Sequence, residues 1–227
     1  MVLPWDKDFL SSKTELSSKT ILYASEGQNV NNVSRSIVKK ILGNIDSKDY
    51  LNLPLEEIAS QNFIFLYPKD KSVIDIDQIR DSFKYLFLKS NSKRLLYLEN
   101  IERIETRTFN TLLKFSEEAD KNMIICMSTN NINIVPKTIL SRFQKLKIPK
   151  PNNEIVKQHL INLGLNFDEQ KNDFVLQNLT LLTEDEDKNI NELFLKFDEY
   201  EAKKEITTKD KEEIRLFLDY QIPASYT

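Results

Sequence analysis

The chain is expected to fold as a doubly wound parallel α/β sheet followed by a small all-helical domain. Three observations predict this. The first two-thirds of the sequence alternates short apolar runs with helical patterns, the signature of βαβ units. The apolar runs are continuous rather than alternating, as in strands buried on both faces. The strand signal stops at Pro149 and Pro151, and only helical patterns follow.

Taken in order, residues 20–24 read as the first strand and residues 33–42 as a helix with Val33, Ile37, Val38 and Ile41 on one face. Residues 63–67 read as the second strand. Ile76, Ile79, Phe83, Leu86 and Phe87 mark an amphipathic helix, and Asp75 with Gln78 supplies a capping box at its start. Residues 95–98 form the third strand, 106–118 a helix burying Phe109, Leu112 and Leu113, and 123–128 the fourth strand. A short helix over 136–143 opens on a proline, where the missing N–H costs least. Residues 146–148 are the last strand. The α/β domain is thus expected over 1–149. A helical domain is expected over 150–206, built from 154–163, 168–179 and 189–203, with Gly164 just past the end of the first of these. Residues 207–227 hold one further helix, 209–220.

Composition excludes several classes. The 227 residues are 40% apolar and 30% charged, which suits a soluble globular protein. A net charge of −3 lacks the basic footprint of an autonomous DNA binder. Lysines and carboxylates are interleaved, as on solvated helix faces. The single cysteine, Cys126, lies in the apolar run 123–127 and reads as a packing residue; it can build neither a disulfide nor a cysteine zinc site. The single histidine, His159, reads as an ordinary helix residue with no second ligand beside it. Asp6, Lys7 and Asp8 break the apolar character a signal peptide needs, and no run approaches the ~18 residues of a membrane span. A cytoplasmic protein without membrane association is expected.

In a doubly wound nucleotide-binding fold, the loop after the first strand cradles phosphate. A P-loop needs glycines so that backbone N–H groups can close on phosphate, a lysine for the β and γ phosphates, and a hydroxyl for magnesium. Here Gly27 stands in the loop, but Asn29 replaces the last glycine, Val30 the lysine and Asn31 the hydroxyl residue. The third strand should end in two acidic residues, one for the metal and one to polarise water. It ends in Glu99 and Asn100, and an asparagine is no general base. Two separate catalytic elements are degenerate in one chain. Such joint loss points to a fold kept for another purpose.

The most specific segment lies downstream. Residues 110–118 contain Asn110, Leu112, Leu113, Lys114, Glu117 and Glu118; an apolar strand then ends in Thr129 and Asn130; and Pro136, Ser141, Arg142 and Phe143 follow. Over residues 20–148 the chain resembles the bacterial DNA polymerase III clamp-loader AAA+ family, and within it the delta-prime type of subunit. It shares the helix pattern N-x-L-L-K-x-x-E-E, a sensor-like strand and a P-x-x-x-x-S-R motif. Residues 76–80 also resemble the I-D-x-I-R start of a family helix.

The resemblance implies an AAA+, P-loop NTPase-like fold with a helical lid. It also implies a role for Arg142, next to Ser141, as an arginine finger reaching a neighbouring subunit's ATP. Fixed guanidinium groups of this kind are worth about 10³–10⁵ in rate. Thr129 and Asn130 match the sensor position. The expected protein has no ATPase activity of its own and no bound cofactor or zinc. Its implied partners are the loader ATPase subunits, a delta-type clamp-opening subunit, the sliding clamp indirectly, and primer-template DNA only within the assembly. An active ATPase and an adaptor that has lost loader function are the alternatives. Arg103, Arg107 and Lys114, read on one helix, offer phosphate contacts inside a ring. Four departures stand out. Residues 43–61 lack the family's zinc cysteines, Phe143 replaces a cysteine, and Ala119 replaces a proline. After a lid expected to end near residue 205, residues 207–227 are expected to be a remnant or the start of the family's helical collar.

Overall fold

Alternate residues of one strand show how the sheet is covered. Leu95 and Tyr97 enter one hydrophobic core, while Leu96 and Leu98 enter another, so this strand is buried on both faces. The computed structural model describes residues 4–13, 15–25, 28, 30–68, 73–87 and 92–162. They fall into two compact units, one comprising residues 6–150 and the other including 151–162.

In the first unit, β1 (Lys19–Tyr23), β2 (Phe63–Leu66), β3 (Arg94–Leu98), β4 (Met123–Thr129) and β5 (Gln144–Lys147) make one five-stranded sheet of order β2-β3-β4-β1-β5. Every pairing is parallel; Leu96 lies opposite Ile125, and Ile21 opposite Met127. One face is covered by α1 (Lys7–Ser12) and α2 (Val30–Asp46), through Phe9, Leu10, Val30, Val33, Ile37, Val38 and Ile41. The other is covered by α3 (Ile76–Phe87), α4 (Thr106–Glu118) and α5 (Lys137–Leu140), through Ile79, Phe83, Leu86, Phe109, Leu112 and Ile139. The fold is therefore the doubly wound α/β sheet expected from the apolar runs. Edge strand β5 keeps Gln144, Lys145 and Lys147 exposed, and charge on an edge discourages pairing with another chain.

The capping box of α3 forms in both directions: Gln78 N donates to Asp75 Oδ1 at 2.8 Å and Asp75 N to Gln78 Oε1 at 3.0 Å. Three expectations need correction. Helix α2 begins at Val30, three residues earlier than its apolar face suggested, because Val30 itself is a core residue. Helix α5 stops at Leu140, so Ser141 and Arg142 lie in the turn after it. Arg103 ends a 3-10 turn (Ile101–Arg103) and does not share α4 with Arg107 and Lys114. Helix α1 was not legible in the sequence.

In the second unit the described helix is α6 (Asn153–Asn162), with Val156 and Leu160 buried. His159 meets the Trp5 ring edge-on at 5.5 Å. The helices expected over 168–179, 189–203 and 209–220, and Gly164, lie outside the described residues. Among the described residues no helix is long and apolar enough to cross a membrane.

Candidate functional site

Ligands of open parallel sheets bind beyond the carboxyl ends of the strands. Here that edge gathers the residues after β1, β3 and β4. After β1 the chain is tied by Gln28, which is nearly fully buried. Its Oε1 accepts from Ser25 N at 3.0 Å, its own N–H donates to Ser25 O at 3.1 Å, and Nε2 donates to Pro149 O at 2.9 Å. Gly27 and Asn29 lie outside the described residues. Val30, at the lysine position, has no exposed surface and packs among Val33, Leu22 and Leu95 in the core.

Glu99, just beyond β3, is 3% exposed. Both its carboxylate oxygens are taken by Arg35 of α2: Nε reaches Oε2 at 2.5 Å and Nη2 reaches Oε1 at 2.7 Å. This is the bidentate fork–fork geometry that makes arginine–carboxylate pairs strong. Arg35 Nη1 also meets Glu56 at 2.9 Å, and its guanidinium lies 5.4 Å from the centre of the Phe65 ring. Burial alone would lower the pKa of Arg35; the hydrogen bonds and charge of Glu99, then the charge of Glu56, outweigh it and raise that pKa above its ordinary value. Both oxygens of this buried carboxylate are thereby engaged.

A hydroxyl chain continues inward. Tyr97 Oη lies 2.6 Å from Ser34 Oγ, 2.9 Å from Ser128 Oγ and 3.3 Å from Glu99 Oε2. Burial first, and the charge of Glu99 second, push the Tyr97 phenol well up, so it stays neutral and donates. At the rim, Asn31 Nδ2 donates to Asn100 Oδ1 at 3.0 Å, and Asn100 N donates to Ser128 Oγ at 3.4 Å. Asn100 holds a left-handed conformation, φ 54° and ψ 57°, which asparagine tolerates better than most residues. The positions of a P-loop hydroxyl and of a water-polarising acid are thus both asparagines, bonded to each other.

The residues at the sensor-like positions make local contacts. Thr129 is fully buried and its Oγ1 accepts from Asn131 N at 3.0 Å, closing a local turn. Asn130 N donates to Glu102 Oε1 at 3.4 Å. It is Ser128 that joins the Asn31–Asn100–Glu99 cluster. Sequence reasoning also missed Arg35. Its position one helical turn beyond Asn31, on the same face, was the available signal. Lys39 and Lys40 are directed elsewhere, to the carbonyls of Leu51 at 3.4 Å and Leu10 at 3.2 Å.

Arg142 lies apart from this cluster, on the surface after α5. Its side chain is 42% exposed. Nε pairs with Glu117 Oε1 of α4 at 2.7 Å, and Nη1 donates to Thr138 O at 3.1 Å. Ser141 Oγ donates to the same carbonyl at 3.0 Å, so Ser141 caps the end of the helix. Phe143, in place of the family cysteine, is 4% exposed and fills the core beneath. The Arg142–Glu117 pair joins two motifs that the sequence presents separately.

Fold and site together define a parallel α/β protein in which side chains beyond β1, β3 and β4 bond to one another at the carboxyl edge of the sheet. Residues 11–152 match the model of the family described as DNA polymerase III, delta subunit, and the chain belongs to that clamp-loader-like family of DNA polymerase III subunits. It is 33% identical over 105 residues to the DNA polymerase III subunit gamma of Buchnera aphidicola, across 44% of this chain and 28% of that protein. It thus spans about a quarter of the length of that relative. A gamma subunit-related protein of Thermotoga maritima aligns in structure with a TM-score of 0.46 at 17% identity, over 80% of this chain and 64% of the other. RuvB of the same organism aligns with a TM-score of 0.40 at 14% identity, over 75% and 55%.

Proposed function

We propose that this chain is a non-catalytic, delta-prime-like subunit of a sliding-clamp loader, which offers Arg142 to the ATP of a neighbouring subunit. The observation that carries the reading is the Arg35–Glu99 pair, a bidentate contact at 2.5 and 2.7 Å that occupies the carboxylate an ATPase would use for its metal. Val30 buried at the lysine position and Asn100 at the water-polarising position support it. A subunit without its own site contributes to turnover through what it presents to others, and Arg142 is exposed and fixed at its base. Its partners in this reading are the loader ATPase subunits and a delta-type clamp-opening subunit. Primer-template DNA is met only inside the assembly.

Two measurements test it. A fluorescent ATP analogue titrated into the isolated chain should show no saturable binding; micromolar affinity would instead support an active ATPase. Stimulated ATPase turnover of the cognate loader subunits, with clamp and primed DNA, should rise on adding the wild-type chain and not on adding Arg142→Ala. Fingers are worth about 10³–10⁵ in rate, so the loss at the one interface served should be large. A chain that changes neither assembly nor rate would leave the adaptor reading.

A further inference from the structure

We infer that Glu117 is a positioning residue for Arg142, holding the guanidinium by its Nε edge so that its other N–H groups are presented to phosphate. The inference rests on the trans role proposed above for Arg142. The two side chains come from different elements, the last turn of α4 and the turn after α5, and meet at 2.7 Å while 42% and 51% exposed. The backbone beneath is held: Arg142 N and Phe143 N both donate to Ile139 O, at 3.0 and 3.1 Å, and Phe143 is in the core. What remains free at such a position is the arginine side chain, whose rotamer entropy opposes any fixed contact. Glu117 on Nε and Thr138 O on Nη1, at 3.1 Å, remove much of that freedom before any partner docks.

The division of donors matters. A guanidinium has five N–H groups. The hydrogen bond to Thr138 O engages one hydrogen on Nη1, and Glu117 meets the guanidinium by charge at its Nε edge, leaving both hydrogens of Nη2 and the second of Nη1. Those belong to the end of the fork that matches two phosphate oxygens. Glu117 therefore orients the group without occupying the end that would meet phosphate. Had the carboxylate taken both Nη groups, the same pair would have blocked the arginine.

The test uses the complete loader with clamp and primed DNA, and compares wild type with Glu117→Ala, Glu117→Gln, Arg142→Ala and the Glu117→Ala/Arg142→Ala double variant. Turnover, KM for ATP and assembly by analytical ultracentrifugation are measured for each. Glu117→Ala should lower kcat about two- to fivefold, the range expected for an exposed ion pair, with KM and assembly unchanged. Glu117→Gln should lose about as much as Glu117→Ala, since the contact is an ion pair and the amide carries no charge. In the Arg142→Ala background, Glu117→Ala should have no further effect. Wild-type kcat in Glu117→Ala, with a loss in Arg142→Ala, sinks the positioning role and leaves the finger standing. Wild-type kcat in Arg142→Ala sinks both. A rise in kcat on removing Glu117, an equal loss in both backgrounds, or failed assembly of both Glu117 variants would also overturn the positioning role.

Discussion

Asn31 and Asn100 are bonded side chain to side chain, Nδ2 to Oδ1 at 3.0 Å, across the rim where a nucleotide's phosphates and its attacking water would be handled. The bond links the first turn of α2 to the residues just beyond β3. It turns two departures from a catalytic pattern into one structural contact.

Restoring an acid at this rim should therefore harm rather than help. Asn100→Glu removes the bond to Asn31, adds a second carboxylate beside Glu99, and puts a side chain that disfavours φ 54° into the left-handed region. We expect a loss of about 1–3 kcal/mol in urea unfolding, and no gain in nucleotide binding.

Arg35→Met tests the closure itself. It strands Glu99, 3% exposed, without its cation. Removing one partner of a buried pair costs about 3–5 kcal/mol, whereas replacing both by apolar residues is often neutral. Arg35→Met/Glu99→Leu should thus be more stable than Arg35→Met alone. A double variant as unstable as the sum of its parts would show that the pair is not the main contact of either residue.

Arg94 and Asp120 predict an acid limb. Arg94 is fully buried, donates to Leu86 O at 2.6 Å, and meets both oxygens of Asp120 at 2.6 Å. The Arg94 hydrogen bonds, with those of the Asn122 and Met123 amides, hold the Asp120 carboxyl below its ordinary range. An acid whose folded pKa is depressed stabilises the fold above its unfolded pKa, about 3.9. That contribution is lost as pH falls below this value toward the folded pKa. Asp120→Ala should cost about 2–3 kcal/mol at pH 7, reduced from a fully buried pair because Asp120 is partly solvated. Unfolding measured between pH 5 and 2 should then show a shallower acid dependence than wild type.

Cys126 should be inert. It is fully buried in β4, and burial pushes its thiol far up. A thiol-disulfide reagent at pH 8 should label it only after denaturant is added. Labelling at the rate of a free thiol in the native state would contradict its place in the core.

Much of the fold was legible because its signals are local. Continuous apolar runs marked the strands, and the reciprocal Asp75–Gln78 box marked the start of α3, since both depend on neighbours in sequence. Helix α1 escaped because six residues carry too short a period; its Phe9 and Leu10 are recognisable as core residues only against α2. Asn31, Val30, Glu99 and Asn100 were singled out by what a P-loop chemistry lacks in them.

The sequence by itself determined the parallel α/β class, the residue types that follow β1 and β3, and the neighbourhood of Ser141 and Arg142. Only the tertiary structure decided what those residues do to one another. Arg35 reaches Glu99 because α2 packs over β3, Ser128 replaces Thr129 in the cluster because strand residues alternate faces, and Glu117 meets Arg142 because α4 and α5 share one face of the sheet. The physical reason is the same in each case: a charge or hydrogen bond acts over a few ångströms of space, and distance along the chain does not report it.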